Sequence, residues 1–381
     1  MPAATYRLRI PGPTPVPQRV NAAMADPMIN HRGPEFHGLV DDVQRGLVPL
    51  FGGEGPILLF ASSGSGVMEA SFVNTIDAGE RVLVVSNGQW GERFTVMLRG
   101  MGAEVTALES EWGQPIDLQR IHDALSGDAF RAVVVTHNES STGAVTDLAQ
   151  IGAMVAGSDT LLIVDAVSSL GGMAIDQTRV GADVVFSASQ KALMCPPGLG
   201  LVSLSEKAWS ALERPSRVPR FYWDFKRARA SADESETPFT PPVSIIAGLR
   251  ESLRMIEEEG MSSVFARHTL MANAMRAGFR ALGLPSFPPE KIASSTLAVG
   301  TVPEGLDGTT IVRHMYRAHE TVIAGARNRL RGRIIRIGTM GTVQAADVLA
   351  DLHALEQTLR SLGHAVDAGV AVAEASRVLS N

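Results

Sequence analysis

Lysine is scarce in this 381-residue chain: there are four, against thirty arginines. Cysteine is scarcer still, with Cys195 alone. One thiol excludes an internal disulfide framework and any metal cage built from several cysteines, and makes a reducing, intracellular setting the default. The nine histidines show no H-E-x-x-H or other ligand spacing, so no metal is expected. There is no basic excess either. A net charge of −6 and a pI near 5.9 lack the footprint of nucleic-acid binding. No apolar run approaches a membrane span, the opening "MPAATYRLRIPGPTPVP" lacks a signal-peptide core, and "SRVLSN" matches no sorting signal. A cytoplasmic protein binding neither membrane nor nucleic acid is expected.

What is there reads as α/β. Short β-branched runs, "PILLF" (56–60), "RVLVV" (81–85), "AEVTAL" (103–108), "AVVVTH" (132–137), "LLIVDA" (161–166), "DVVFSAS" (183–189) and "GLVSLS" (200–205), alternate with helical patterns such as 36–52. Continuous apolar runs suit strands covered on both faces, hence a mostly parallel seven-stranded sheet between helices. Residues 206–237, rich in Arg, Pro and acids, read as an irregular connection, and 241–260 as a long helix. Beyond it come short strands at "STLAVGTV" and "RIIRIGT" and a terminal helix, the pattern of a smaller α+β domain. The predicted division is a large domain over 16–255 and a small one formed by 256–381 with the segment 1–15.

Three of the lysines sit in solvated contexts, "SEKAW", "FKRAR" and "PPEKI". Lys191 instead ends an apolar run in "VVFSASQKALMCPPGLG", where burial is expected. Ligands of an open α/β sheet bind beyond the strand carboxyl ends, so the residues just past each strand matter. "PILLF" runs into "ASSGSGVMEASF", a Ser/Gly turn and a helix start near Gly66, suited to a phosphate or merely to a tight turn. Asp165 ends another strand as a helix cap or a buried partner for a cation, and Trp90 a third, as packing or as a stacking face. Together a phosphate cradle, a carboxylate, a flat aromatic and an amine are the partners that pyridoxal 5′-phosphate requires, with Lys191 as its Schiff-base lysine.

Nine segments, "PGPTPVP", "HRGPEF", "SSGSGVMEA", "NGQWGER", "THNESSTG", "VDAVSSLGG", "SASQKALMCPPGLG", "TPFTPPVSIIAGLRESL" and "GRIIRIGTMG", occur in the order and spacing of one family. The chain resembles the class V, fold-type I aminotransferases, and within them the alanine–glyoxylate and serine–pyruvate group. The resemblance implies that Ser65, Gly66 and Val67 hold the cofactor phosphate with help from Gln190. Trp90 and Val167 enclose the ring, Ser140 donates to its hydroxyl, Asp165 pairs with its nitrogen, and Lys191 binds it covalently. It implies that Arg336 grips the substrate α-carboxylate, against a plain reading as one more solvated arginine in an Arg-rich strand. It also implies a homodimer with shared sites, Thr240 reaching the partner's phosphate. Some members carry a His where this chain has Val67 and a Tyr where it has Thr237.

The implied reaction is ping-pong transfer of an amino group from alanine or serine to glyoxylate or pyruvate. Alternatives are donors such as pyridoxamine, 2-aminoethylphosphonate, ureidoglycine or aspartate, a lyase or desulfurase using Cys195, and a non-enzymatic binding protein. Cys195, four residues after the lysine and beside Pro196 and Pro197, reads as structural. His31 and Arg32 read as a cap for the next helix or as substrate contacts, the cap being favoured. The segment 221–229 lies where substrate-specific loops are expected.

Overall fold

The computed structural model describes residues 6–380. Its centre is a seven-stranded sheet formed by β1 (Leu58–Ser62), β2 (Arg81–Ser86), β3 (Glu104–Glu109), β4 (Ala132–Thr136), β5 (Leu161–Asp165), β6 (Val184–Ala188) and β7 (Gly198–Leu204). The order is β1-β7-β6-β5-β4-β2-β3, and only β7 runs antiparallel to its neighbours. All seven strands predicted from the sequence are present.

The unbroken apolar runs make sense in this sheet. Along β4, Val133 and Val135 enter one core while Ala132 and Val134 enter another on the opposite face. Leu162 and Val164 of β5 likewise oppose Leu161 and Ile163. Alternate side chains point to opposite faces, so a strand covered twice must be apolar throughout. Helix α1 (Pro34–Phe51) covers the first face with Phe36, Leu39, Val40, Val43 and Leu47, a helical stripe. Helix α2 (Gly64–Thr75) and helix α3 (Gln89–Gly100) cover the second with Met68, Phe72, Phe94 and Leu98.

After α4 (Val243–Glu259) and α5 (Met261–Ala281), a three-stranded antiparallel sheet forms in the order β8 (Leu297–Thr301), β10 (Ile334–Gly338), β9 (Ala324–Gly325). It packs with α6 (Gly308–His319), α7 (Ala345–Ser361) and α8 (Val370–Leu379) around a third core. The N-terminal segment joins it. Arg7 and Leu8 pair in parallel with Thr321 and Val322, and Arg9 forms ion pairs with Asp347 and the buried Asp351.

Two local expectations need correcting. Residues 206–237 are not wholly irregular: helices span Glu206–Ala211 and Phe225–Ala232, started by the side chains of Ser205 and Asp224. The cap of α1 is Gly33, with no side-chain cap bond. Arg32 turns away to pair with Glu236 and to donate to Thr237 O at 2.8 Å, because a guanidinium finds no acceptor among helix N–H groups. His31 is half-buried.

Candidate active site

The six parallel strands share one carboxyl edge, and five of their ends build a cavity of about 270 Å³. Lys191 stands in the turn between β6 and β7. That turn is held by Ser189, whose N–H donates to Leu199 O at 2.9 Å and whose hydroxyl donates to Pro196 O at 2.6 Å. Cys195 N–H closes it on Ser189 O at 3.1 Å, and Ser252 Oγ donates to Leu193 O at 2.6 Å. A turn tied at four points fixes the root of a long side chain that would otherwise wander.

The amine of Lys191 donates to Pro11 O at 2.7 Å. Burial, and secondarily Arg336, hold its pKa down at about 8 against the pull of Asp165. Asp165 is buried at the end of β5. One of its oxygens accepts from Val167 N–H at 2.8 Å; the other has no hydrogen-bond partner among the described residues. Burial raises this acid to about 7, with the neighbouring Glu139 pushing the same way. Such a carboxylate is poised for a cationic partner.

Trp90 is on the first turn of α3, placed there by β2. Its indole N–H donates to Ser140 Oγ at 3.0 Å, and its backbone N–H donates to the buried Glu139 carboxylate at 2.9 Å. Ser140 in turn offers its carbonyl to Arg336 Nη1 at 2.8 Å. The other side of that guanidinium donates twice to Gly325 O, at 3.0 and 2.7 Å. Arg336 is therefore no solvated surface residue: burial lowers its pKa, and its partners are neutral carbonyls, with no carboxylate among its described ion-pair partners.

Seven predicted residues, Ser65, Trp90, Ser140, Asp165, Val167, Gln190 and Lys191, line the one cavity. Arg336 lines an outer chamber that shares Gly12, Trp90, Ser140 and Lys191 with it. Gly66, Val67 and Thr240 do not line the inner cavity. Helix α2 starts at Gly64, with Ser63 in the N-cap position but making no side-chain cap bond, two residues earlier than the sequence suggests. The N–H groups of Gly66 and Val67 are already turned to Ser63 O, at 3.1 and 3.3 Å. Those of Gly64 and Ser65 have no partner among the described residues and are the free donors at the positive end of the helix. The Val67 side chain is fully buried in the core, against Gly200. Thr240 is exposed, beside Tyr222, Phe239 and Pro242.

Other residues have no role assigned by the sequence. Arg93, one turn beyond Trp90, lies over its ring at 4.3 Å and donates to Ser65 Oγ at 3.0 Å. Asn138 donates to Ser168 Oγ at 2.9 Å, and both residues line the cavity. Gly12 touches the lysine itself. Trp223, within the undeciphered 221–229 segment, backs the start of α2 against Gly66. A positive charge three residues after a strand-end Trp is the only signal for Arg93; nothing local marks the others. Cys195 is fully buried and its thiol is pushed up to about 12 by burial, which suits packing rather than nucleophilic chemistry. Among the described residues no three His, Cys, Asp or Glu side chains are grouped to hold a metal.

The cavity fits pyridoxal phosphate. The N–H groups of Gly64 and Ser65 are free donors suited to a phosphate. Gln190 brings to the same cavity a side-chain amide whose Oε1 has no partner among the described residues, so that turning the amide over presents its Nε2 donors to the phosphate at no cost in hydrogen bonds. An amine and an acid face the same space. Sheet order, the antiparallel β7 and a lysine turn at the carboxyl edge together define a fold-type I pyridoxal-phosphate enzyme.

The chain belongs to the class-V aminotransferase family, whose pattern it matches over residues 11–357, and it is an enzyme of that family. It is 39% identical over 379 residues to the "Soluble hydrogenase 42 kDa subunit" of Anabaena cylindrica, covering 98% of each chain. It is 33% identical over 394 residues to the serine–glyoxylate aminotransferase of Methylorubrum extorquens, covering 99% of this chain and 98% of that one. The crystal structure of an alanine–glyoxylate aminotransferase from Nostoc sp. superposes with a TM-score of 0.91 at 30% identity, over 94% of this chain and 97% of that one. No described helix is long and apolar enough to cross a membrane.

Proposed function

We propose that this aminotransferase moves an amino group from a small amino acid, alanine or serine, to glyoxylate or pyruvate, using pyridoxal phosphate and a ping-pong sequence. The observation that carries the reading is the convergence of the Lys191 amine, the Asp165 carboxylate and the Arg336 guanidinium on one connected cavity. The serine–glyoxylate and alanine–glyoxylate relatives support the substrates. The hydrogenase-subunit name belongs to one relative and is not carried over to this chain.

When bound, pyridoxal phosphate supplies the electron sink that stabilises charge at the substrate Cα and carries the amino group between half-reactions. The chain's own residues do the rest. The first-turn N–H groups of α2, Ser65 and Gln190 hold the phosphate, with Arg93 adding positive charge through Ser65. The Trp90 indole would stack on one face of the ring and the branched Val167 side chain would pack the other. Asp165 keeps the ring nitrogen protonated; an opposite charge beside it stabilises the ionised carboxylate. Arg336 exchanges its carbonyl partners for the substrate carboxylate, a better match for a fork of N–H donors. This fixes Cα beside Lys191. With a pKa near 8 the amine of Lys191 is partly neutral at physiological pH, so Nζ can take the proton from Cα and return it. The protein works as a homodimer in which Thr240 completes the neighbour's phosphate site.

Initial rates over a matrix of L-alanine and glyoxylate concentrations test this. Parallel double-reciprocal lines are expected, and the Lys191→Ala variant should lose at least about three orders of magnitude in kcat. Intersecting lines would sink the ping-pong scheme. A Lys191→Ala variant as active as wild type would sink the site.

A further inference from the structure

The outer chamber has a volume of about 530 Å³, and its charged lining consists of Lys191, Arg93, Arg327, Arg331 and Arg336. No carboxylate lines it. Arg336 is engaged by carbonyls and Arg93 by Ser65 and the Trp90 ring. Arg329, outside the chamber, is neutralised by Glu92. Arg327 and Arg331 have no ion pair or side-chain hydrogen bond among the described residues, yet both face the chamber.

Arg327 is also close to the substrate-gripping arginine by construction. Ala324 of β9 sits opposite Arg336 in the small sheet, and Gly325 accepts two of its N–H groups; Arg327 comes two residues later. After burial, the charge of Arg327 also disfavours the charged form of Arg336, against the pull of Glu139. Arg327 and Arg331 are exposed, so water screens part of the repulsion among these like charges, and a bound anion recovers the rest. A single substrate carboxylate at Arg336 leaves Arg327 and Arg331 uncompensated.

We infer that Arg327 and Arg331 form a second anion subsite, and that the substrate range extends to short amino acids and 2-oxo acids bearing a second acidic group. The first carboxylate lies at Arg336 and the second reaches outward across the chamber. The inference rests on the proposed role of Arg336, since that residue sets where the first carboxylate lies.

Calorimetric binding to the cofactor-loaded protein tests it without turnover, using succinate and its monoamide, succinamate. The two probes share shape and differ by one charge. Succinate should bind at least about tenfold more tightly, and Arg327→Gln should shrink that ratio to about threefold or less. Arg329→Gln removes an equal charge outside the chamber and should leave the ratio near the wild-type value. A wild-type ratio near one would overturn the inference, as would an Arg329→Gln effect as large as that of Arg327→Gln. Arg336→Gln separates the two levels. If it weakens succinamate while the wild-type ratio is near one, only the second subsite fails. If it leaves succinamate binding intact, or if neither probe binds the wild-type protein, the placement of the first carboxylate fails and the inference falls with it.

Discussion

Gly12 lies directly on Lys191: a Cβ added to Gly12 would fall 2.5 Å from Nζ and 2.6 Å from Cδ. The contact couples the N-terminal segment to the Lys191 amine. Thr14 fastens the same segment from the other side, donating to the carbonyls of Gln190 and Lys191 at 3.1 and 2.9 Å. Arg9 anchors it to α7 through Asp347 and Asp351.

Gly12→Ala is therefore expected to displace the lysine or the segment. The backbone there has φ +126°, a conformation that costs other residues of the order of 1–3 kcal/mol, in addition to the clash. We predict a loss of at least about tenfold in kcat with a much smaller change in KM, because Arg336 is untouched. A substitution that leaves kcat intact would show that the segment yields without moving the amine.

Ser140 links two parts of the site, accepting the Trp90 indole N–H on its hydroxyl and Arg336 on its carbonyl. Ser140→Ala removes only the hydroxyl contact. The freed indole should weaken cofactor affinity by about three- to tenfold, the worth of one ordinary hydrogen bond. Alanine KM should move little. Equilibrium dialysis of the cofactor together with steady-state kinetics measures both.

Asp165 gives a pH signature in the cofactor-free protein. Its folded pKa, about 7, exceeds the ordinary 3.8, so the folded state binds the proton more tightly and stability falls as pH climbs through that interval. Asp165→Asn has no such charge to bury. Its melting temperature should exceed the wild type's by several degrees at pH 8 and converge with it below about pH 4. Lys191 contributes with the opposite slope at higher pH: lowered to about 8, it favours folding increasingly between there and 10.5. A parallel course for wild type and Asp165→Asn from pH 4 to 8 would mean that Asp165 is not held in its raised state.

Cys195→Ser separates transamination from thiol chemistry. The side chain is sealed in the core and the turn is closed by its backbone N–H, which serine retains. Turnover should persist, with a stability cost of roughly 1–3 kcal/mol for a buried hydroxyl. Abolished turnover in a variant that still folds and binds cofactor would revive the desulfurase reading.

The strands are legible because continuous apolar runs have one economical solution, a sheet covered on both faces, and because Gly, Pro and acids punctuate them. The residues at strand ends come with that solution, since the carboxyl edge gathers Ser65, Trp90, Asp165 and Lys191 whatever the loop details. The start of α2 is harder to place because Ser63, Gly64, Ser65 and Gly66 are all credible first positions by sequence. Arg32 reads as a cap because it precedes Gly-Pro; its partners, Glu236 and Thr237, are two hundred residues away and leave no local trace. The contact of Gly12 with Lys191 and the chamber of arginines are illegible for the same reason. Both are made by segments that meet only when the N-terminus and the second sheet fold back over the first.

The role of Lys191 is tested by the visible absorption spectrum of the cofactor-loaded protein during titration with L-alanine in the absence of any acceptor. The expected result is a yellow band from the cofactor held by Lys191, fading stoichiometrically to the pyridoxamine form as pyruvate appears, with no band of that kind in Lys191→Ala. A protein that shows no such band after addition of pyridoxal phosphate, or whose band is the same without Lys191, would contradict that role.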